Sequence, residues 1–505
     1  MKSRMLLAGI AMTGVAALAA CSTGEGVDLD GADGRVLTAA IAGEPDQLDP
    51  HKTTSYFSFQ VLENIYDTLV EPDENLEMQP ALAEDWELSD DQLTWTFSLR
   101  EGVTFHDGSE FTADDVVYSY NRIIDEELSN AWRLSAITDI TATDDTTVEI
   151  TVAQPTPNLL SSLGGFKGLA IVNEDNAASG DISTAPVGTG PFSLENYTSG
   201  DSIELVANED YWGGAPEIAG VTFRFISEGS TALAALKSGD VDWTDSIPAQ
   251  QVAGLEGDDT IVLGQNPSND YWYLAMNQAK EPWNDVRVRQ AVAYAIDRDA
   301  IAQVTSYGTA EVNQLAIPKA SSWYSEYDAY STDIDQAKSL MADAGVPSAE
   351  MELLVSSDYP ESVAAAQVIA DNLAEIGITV NISSPDFASW LDAQNAGRFD
   401  MLMMSWLGNI DPDDFYYAQH HSAGGSNAQQ YSNPEVDALL DEARTETDTD
   451  ARKALYDEAA ALIADDASYI YLYNPSVIQA WTPELEDYEA RGDRAIRFKN
   501  VSFSD

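Results

Sequence analysis

Met401-Leu402-Met403-Met404-Ser405-Trp406-Leu407-Gly408-Asn409-Ile410-Asp411-Pro412-Asp413-Asp414-Phe415 runs from an apolar segment through a Trp-Leu-Gly turn into an Asp-Pro-Asp turn. The first six residues are too apolar to face water and read as a strand buried inside a sheet. The turns stand at the carboxyl end of that strand, where open α/β sheets place their ligands. Trp406 offers a flat apolar wall there, and Asp411 holds a polar loop beside it. A core tryptophan followed by an ordinary Pro-Asp turn is the competing reading of the same residues.

A chain of 505 residues with 44% apolar content buries a large core and divides into about two or three domains. Its 86 acidic and 24 basic residues leave a formal charge of −62, spread along the chain and not gathered in a tail. Such a surface repels nucleic acid and anionic lipid head groups, and it is of the kind suited to saline surroundings. Cys21 is the only cysteine, which excludes an intramolecular disulfide and a cysteine metal cage. Lys2 and Arg4 precede an apolar run, Met5 to Ala20, that is short for a membrane span and ends in Leu18-Ala19-Ala20-Cys21. That pattern resembles a bacterial lipoprotein signal over residues 1–21, cut before a cysteine that then carries lipid and holds the protein at a membrane. Residues 22–34, rich in Gly and Asp, read as a flexible tether.

Beyond the tether, apolar spacing predicts a helix from Ser55 to Leu69 and a half-buried strand at Trp95, Phe97 and Leu99. It also predicts a helix opened by Thr112 with Asp115 in its first turn. Further helices are expected at 230–238, 335–344, 361–376, 435–444 and 450–464, with another opened by Asp285. Strands at 351–355, 378–382 and 401–406 interleave with them as an α/β lobe. Tyr271, Trp272 and Tyr273 are hard to bury together, because alternation along a strand sends the middle ring to the opposite face.

The motifs of zinc proteases, α/β-hydrolases, P-loops and dinucleotide-binding folds do not occur. Of four histidines, His420 and His421 lie near Asp411, Asp413 and Asp414. Neighbouring side chains diverge on regular backbone, so a solvent-exposed pair is expected there and no metal site. Carboxylate pairs arise by chance in so acidic a chain; a secreted glycosidase using one of them is the competing functional class.

One family accounts for many stretches in order. They are Gly43-Glu44-Pro45-Asp46-Gln47-Leu48-Asp49-Pro50, Leu82 to Trp86, Trp95 to Gly108, Phe111 to Tyr120, Gly188-Thr189-Gly190-Pro191-Phe192, Asn208-Glu209-Asp210-Tyr211-Trp212, Asp285 to Ala291 and Asp411-Pro412-Asp413. Together they resemble the extracytoplasmic solute-binding proteins of ABC importers, family 5, the group of dipeptide, oligopeptide and nickel receptors. The resemblance implies an α/β, two-lobed periplasmic-binding-protein fold of class II with an extra inserted domain. Lobe I would comprise residues 35–69, 186–266 and 481–505, the inserted domain 70–185, and the remaining lobe 267–480.

It further implies no catalysis and no cofactor. The protein would be a lipid-anchored, extracytoplasmic monomer that takes a small polar solute, an oligopeptide first, between its lobes and delivers it to a membrane permease. An oligosaccharide, or less readily nickel, is the alternative ligand. Trp406, Tyr271, Trp272, Phe387 and Trp390 would wall the site, Asn409 and Asp411 would orient polar groups, and Ser55 with Tyr56 would reach in from the other lobe. Two departures count against a tight dipeptide site. Asn409 stands where peptide receptors place an aspartate for the ligand ammonium, and Ser356-Ser357-Asp358-Tyr359-Pro360 lacks the arginine that takes the carboxylate. A cleft with a carboxylate opposite an arginine would favour peptide; one walled by rings and amides alone would favour sugar.

Overall fold

The computed structural model describes residues 34–165, 167–406 and 410–504, so Cys21, nearly all of the tether and Asn409 lie outside it. Among the described residues, no helix is long and apolar enough to cross a membrane. Two large sheets organise the chain. In the first, Val36–Ile41 runs parallel to both Gly220–Phe225 and Trp243–Thr244. Ser476–Trp481 and Val262–Pro267 extend this sheet on one side, and Ser202–Ala207 with Phe192–Thr198 on the other. The second sheet has the order Glu311–Val312, Tyr469–Asn474, Tyr271–Met276, Met401–Trp406, Ala349–Leu354, Ile378–Ser383. A smaller antiparallel sheet, Ala83–Leu88, Thr94–Leu99, Thr147–Val152 and Ile137–Asp144, carries its own core around Phe97, Val116, Tyr120 and Ile150.

Met401–Trp406 is an interior strand, antiparallel to Tyr271–Met276 and parallel to Ala349–Leu354. Alternation divides its side chains. Met401 and Met403 join Trp272, Leu274 and Met276 in one core, while Leu402, Met404 and Trp406 join Tyr271 and Tyr273 in the core on the other face. The Tyr-Trp-Tyr run is buried whole, against expectation, because helices cover both faces. Tyr273 stacks on Tyr469 with ring centroids 4.1 Å apart, and Trp272 lies against Tyr473 at 6.2 Å.

Some of the acidic residues serve helix starts. Asp285, Asp297, Asp333, Asp386 and Asp448 each accept a backbone N–H from the first turn of the helix they open, and the Asp115 carboxylate accepts from the N–H of Thr112. The helix expected over 55–69 stops at Leu62. Beyond it the carbonyls of Asn64 and Ile65 accept from Phe192 and Gly190, and the Asn64 amide donates to Gln60 and Ile496, so the segment binds neighbouring chain in place of a further turn.

Several of the stretches that carry the family resemblance meet where separate parts of the chain join. The Asp67 carboxylate accepts hydrogen bonds from Thr189 (2.9 Å), Trp212 (3.0 Å) and Tyr211 (3.3 Å), and the Gly190 carbonyl bonds His106 and Asn208. A Cβ on Gly188 or Gly190 would collide with the Ile65 carbonyl, which is why glycines hold this turn. Asp49 forms a two-bond ion pair with Arg122 of the helix Ala113–Asp125, at 2.6 and 3.1 Å, and both groups are buried. His51 completes the cluster; burial first, then Arg122, pushes its pKa down to about 4.

Two expectations are corrected. The return crossing to the first sheet falls at Pro475, because Ser476–Trp481 pairs with Val262–Pro267, so the expected boundary at 480 and 481 moves earlier. His420 and His421 are buried, not exposed. His420 bonds the hydroxyls of Ser468 (3.0 Å) and Tyr471 (2.9 Å), and burial alone pushes its pKa down to about 3. His421 stacks on Tyr417 at 4.3 Å.

Arg122→Ala would strand the Asp49 carboxylate in the interior. Urea unfolding of this variant is expected to show a loss of about 3–5 kcal/mol relative to the parent, as removing one partner of a buried pair does. A loss below about 1 kcal/mol would show that water reaches Asp49 and replaces the arginine.

Candidate functional site

Two chain segments cross between the large sheets. Val262–Pro267 leads through Ser268, Asn269 and Asp270 into Tyr271–Met276, and Tyr469–Asn474 leads through Pro475 into Ser476–Trp481. The crossing is tied by side chains. The Asn474 amide donates to the carbonyls of Asp270 and Ala316, both at 2.9 Å, and the Ser268 N–H donates to the Pro475 carbonyl at 3.0 Å.

Against this crossing lies a cavity of about 370 Å³ between the lobes. Tyr56, Asp245, Ile247 and Arg494 enter from the first-sheet side. Trp272, Tyr359, Glu361, Ser405 and Tyr473 enter from the second, and Asp270 lies at the joint. The lining thus combines aromatic rings, four charged side chains and neutral hydroxyls such as Ser405 and Thr305. Arg494 pairs with Asp270 at 2.6 Å. Asp245 accepts from Gln60 (2.5 Å), Ser246 (3.1 Å) and Tyr56 (3.5 Å), all neutral donors. Burial pushes the carboxyls of Asp245 and Glu361 upward, overriding their hydrogen bonds and the field of Arg494. Burial also raises the Tyr56 phenol, reinforced by Asp245.

A second opening, about 790 Å³, lies beyond the crossing between residues 74–77, Asn266, Pro267, Trp323, Ile410 and Lys453. Ser405 and Ile410, on either side of residues 407–409, thus border different cavities.

Of the residues singled out from sequence, Trp272 and Tyr56 meet in the interlobe cavity. Trp406 does not line it. The register pairs Trp272 with Ser405, so Ser405 shares the cavity face and Trp406 points to the opposite one. Trp406 borders a separate groove of about 770 Å³ within its own lobe, with Asn277, Leu391, Gly424 and Gln430. Tyr271 is buried, its hydroxyl donating to Gln419 at 2.6 Å. Trp390 is buried under the half-buried Phe387, their rings stacked at 5.8 Å, and Phe387 meets the cavity-lining Tyr359 edge-on at 5.8 Å. Asp411 is held by Arg452 through two bonds of 2.6 and 2.7 Å, which fixes the Asp-Pro-Asp turn and leaves its carboxylate committed. The Ser55 N–H bonds Thr53, and Ser55 does not border the cavity. Asn409 lies outside the described residues.

Sequence reasoning missed Asp245, Asp270, Glu361, Tyr359 and Arg494. No arginine from the stretch near residue 356 lines the cavity; the one that does, Arg494, comes from the C-terminal tail. One signal was available: Arg491, Arg494, Arg497 and Lys499 cluster in a chain poor in bases. Among the described residues, no group of histidines, cysteines or carboxylates is disposed to hold a metal ion.

Residues that flank the small antiparallel sheet also touch the segment after Met401–Trp406. Arg133 approaches Asp414 at 3.8 Å, and the Asn158 amide donates to Asp413 at 3.5 Å. Burial pushes Asp414 up to about 7, Arg133 offsetting it in part and Asp411 and Asp413 adding to it; burial pushes Asp413 up to about 6 despite Arg444.

Comparison with known proteins places this geometry. Residues 77–427 match the family described as bacterial extracellular solute-binding proteins, family 5 Middle. Heme-binding protein A of Haemophilus influenzae is 30% identical over 463 residues, covering 84% of each chain. The dipeptide-binding protein of Escherichia coli is 28% identical over 508 residues, covering 93% of this chain and 94% of its own. The periplasmic binding protein DppA of Helicobacter pylori, solved with the peptide STSA, superposes with a TM-score of 0.82 at 29% identity, over 94% of this chain and 98% of its own.

A carboxyl raised in the folded state favours the folded form while it is protonated, and that advantage is lost as pH rises through the folded value near 7. Asp414→Asn removes the group that must ionise. Its melting temperature relative to the parent is therefore expected to climb between about pH 5 and pH 8. A difference independent of pH would show that Asp414 is ionised throughout.

Proposed function

We infer, for a chain that belongs to the bacterial extracellular solute-binding proteins of family 5, that the interlobe cavity is the solute site of an ABC-importer receptor and that the solute is a short peptide. The family's members are binding receptors, not enzymes, and deliver their ligands to a membrane permease. The observation that carries the peptide reading is the opposed charge in the cavity. Carboxylates at Asp245 and Glu361 suit an ammonium, and Arg494 suits a carboxylate. Rings of Tyr56, Trp272 and Tyr359 supply apolar wall between them. A site of rings and amides alone would suit sugar; charged groups of both signs support peptide over it. The peptide and dipeptide receptors among the relatives support the same choice.

Lobe I is proposed to comprise 35–69, 186–266 and 476–505, the inserted domain 70–185, and the second lobe the residues between the two crossings. Closure about Ser268–Asp270 and Pro475 would seal the solute from water. The mature chain is proposed to be a monomer held at the outer face of the cell membrane through lipid on Cys21. The apolar run that ends at this lone cysteine supports that reading.

Two measurements test these statements. A panel of di- to pentapeptides is expected to raise the melting temperature by several degrees at saturating concentration, with the peptide recovered intact. A cleaved peptide, or stabilisation by oligosaccharides alone, would overturn the peptide reading. The chain expressed in bacteria is expected to enter the detergent phase on partitioning, and Cys21→Ser to move it to the aqueous phase; a parent already in the aqueous phase would exclude the anchor.

A further inference from the structure

We propose that the interlobe cavity selects solutes of net positive charge, lodging an ammonium or guanidinium group between Asp245 of one lobe and Glu361 of the other beside the rings of Tyr56, Trp272 and Tyr359. The proposal deepens the receptor reading and rests on it.

The charge count in the cavity carries the argument. Asp245, Asp270 and Glu361 face one arginine, Arg494, and that arginine stands 2.6 Å from Asp270. That pairing leaves Asp245 and Glu361 with no salt bridge of their own among the described residues, and Arg494 reaches them only through its field. Asp245 is held by an amide and two hydroxyls, and these donors add no charge. Glu361, in the first turn of the helix Pro360–Glu375, enters no ion pair among the described residues. A zwitterionic peptide that gave its carboxylate to Arg494 and its ammonium to one of these acids would still leave a negative remainder. Only a solute with an additional cation completes the site.

The chain's overall charge of −62 does not explain the arrangement. Surface carboxylates stay in water, where each is solvated and screened. Asp245 and Glu361 are turned into a confined space, and burial disfavours the ionised form of both. A cation entering between them restores that form. Aromatic faces add to the preference, because the negative face of a ring attracts a cation; Arg494 already lies 5.9 Å from the centroid of Tyr56. The two acids also stand on opposite sides of the cavity, Asp245 just after the first-sheet strand Trp243–Thr244 and Glu361 on a helix of the second lobe. A cation bridging them draws the lobes together, so charge recognition and closure are one event.

The test is calorimetry on the full mature chain at about 0.15 M salt, where long-range surface attraction is screened. The probes are trialanine, its single-lysine, single-arginine and single-glutamate counterparts, and spermidine as a cation that is not a peptide. Lysine and arginine peptides are expected to bind at least about tenfold more tightly than trialanine, and the glutamate peptide more weakly than any. Glu361→Gln and Asp245→Asn are each expected to bring the lysine-to-alanine affinity ratio towards one. Because each variant removes one of 86 acidic residues, collapse of the ratio locates the effect in the cavity and not on the surface. If trialanine and the glutamate peptide bind as tightly as the lysine peptide, or the ratio survives in both variants, the charge preference is overturned and the peptide receptor stands. If spermidine binds in a manner sensitive to Glu361→Gln while no peptide binds, the peptide reading falls and the charge preference holds. If no cationic probe binds, the preference is overturned.

Discussion

The crossing at Asp270 and Asn474 is the constraint on which the rest of the molecule depends. Two strands leave one sheet and enter another within a few residues, and the Asn474 amide fastens one crossing segment to the other by seizing the Asp270 carbonyl. Arg494, arriving from the C-terminal tail, seizes the Asp270 side chain. The backbone and the carboxylate of one residue are thus held by two distant parts of the chain. The cavity opens against this point, so the charge of its walls and the geometry of its joint share residues. A lobe movement that altered the crossing would also alter the Arg494–Asp270 pair, so in the proposed closure a solute contacting Arg494 would act directly on the crossing.

The buried ion pairs divide between two tasks. Asp49 with Arg122 ties the Gly43 to Pro50 loop to the helix Ala113–Asp125, and Asp67 with its ring of neutral donors joins separate stretches around the first sheet. Asp411 with Arg452 shapes the turn after the strand Met401–Trp406. In each case the carboxylate is matched by charge or by hydrogen-bond donors, and it has little left to offer a ligand. Asp245, like Asp67, is held by neutral donors, but Asp245 and Glu361 border the cavity and neither has a salt-bridge partner of its own among the described residues.

The motif stretches that carry the family likeness turn out to be framework. Gly188-Thr189-Gly190, His106 and Asn208-Glu209-Asp210-Tyr211-Trp212 converge on the joint around Asp67, and the Gly43 to Pro50 loop supplies Asp49. Their order along the chain therefore identifies the architecture and is silent about the solute. The cavity draws on positions outside those stretches, including Asp245, Glu361, Ser405 and Arg494.

Local chemistry in the sequence was sufficient for many of the elements, though not for the end of the helix that stops at Leu62. The helix opened by Asp285, the α/β alternation of the second lobe and the buried strand at 401–406 follow from spacing and short-range hydrogen bonding, and the structure contains all of them. Trp406 marks where that reasoning ends. That it stands at a strand end was legible; which face it occupies was decided by its pairing with Tyr271, a register set by residues far away in the chain. One step of register exchanges Trp406 for Ser405 in the cavity. Arg494 reaches Asp270 across more than two hundred positions, and no local pattern announces such a meeting. Periodicity and capping are short-range and are written in neighbouring residues, whereas the sign of the charge in a cleft is the sum of side chains that only tertiary packing brings together.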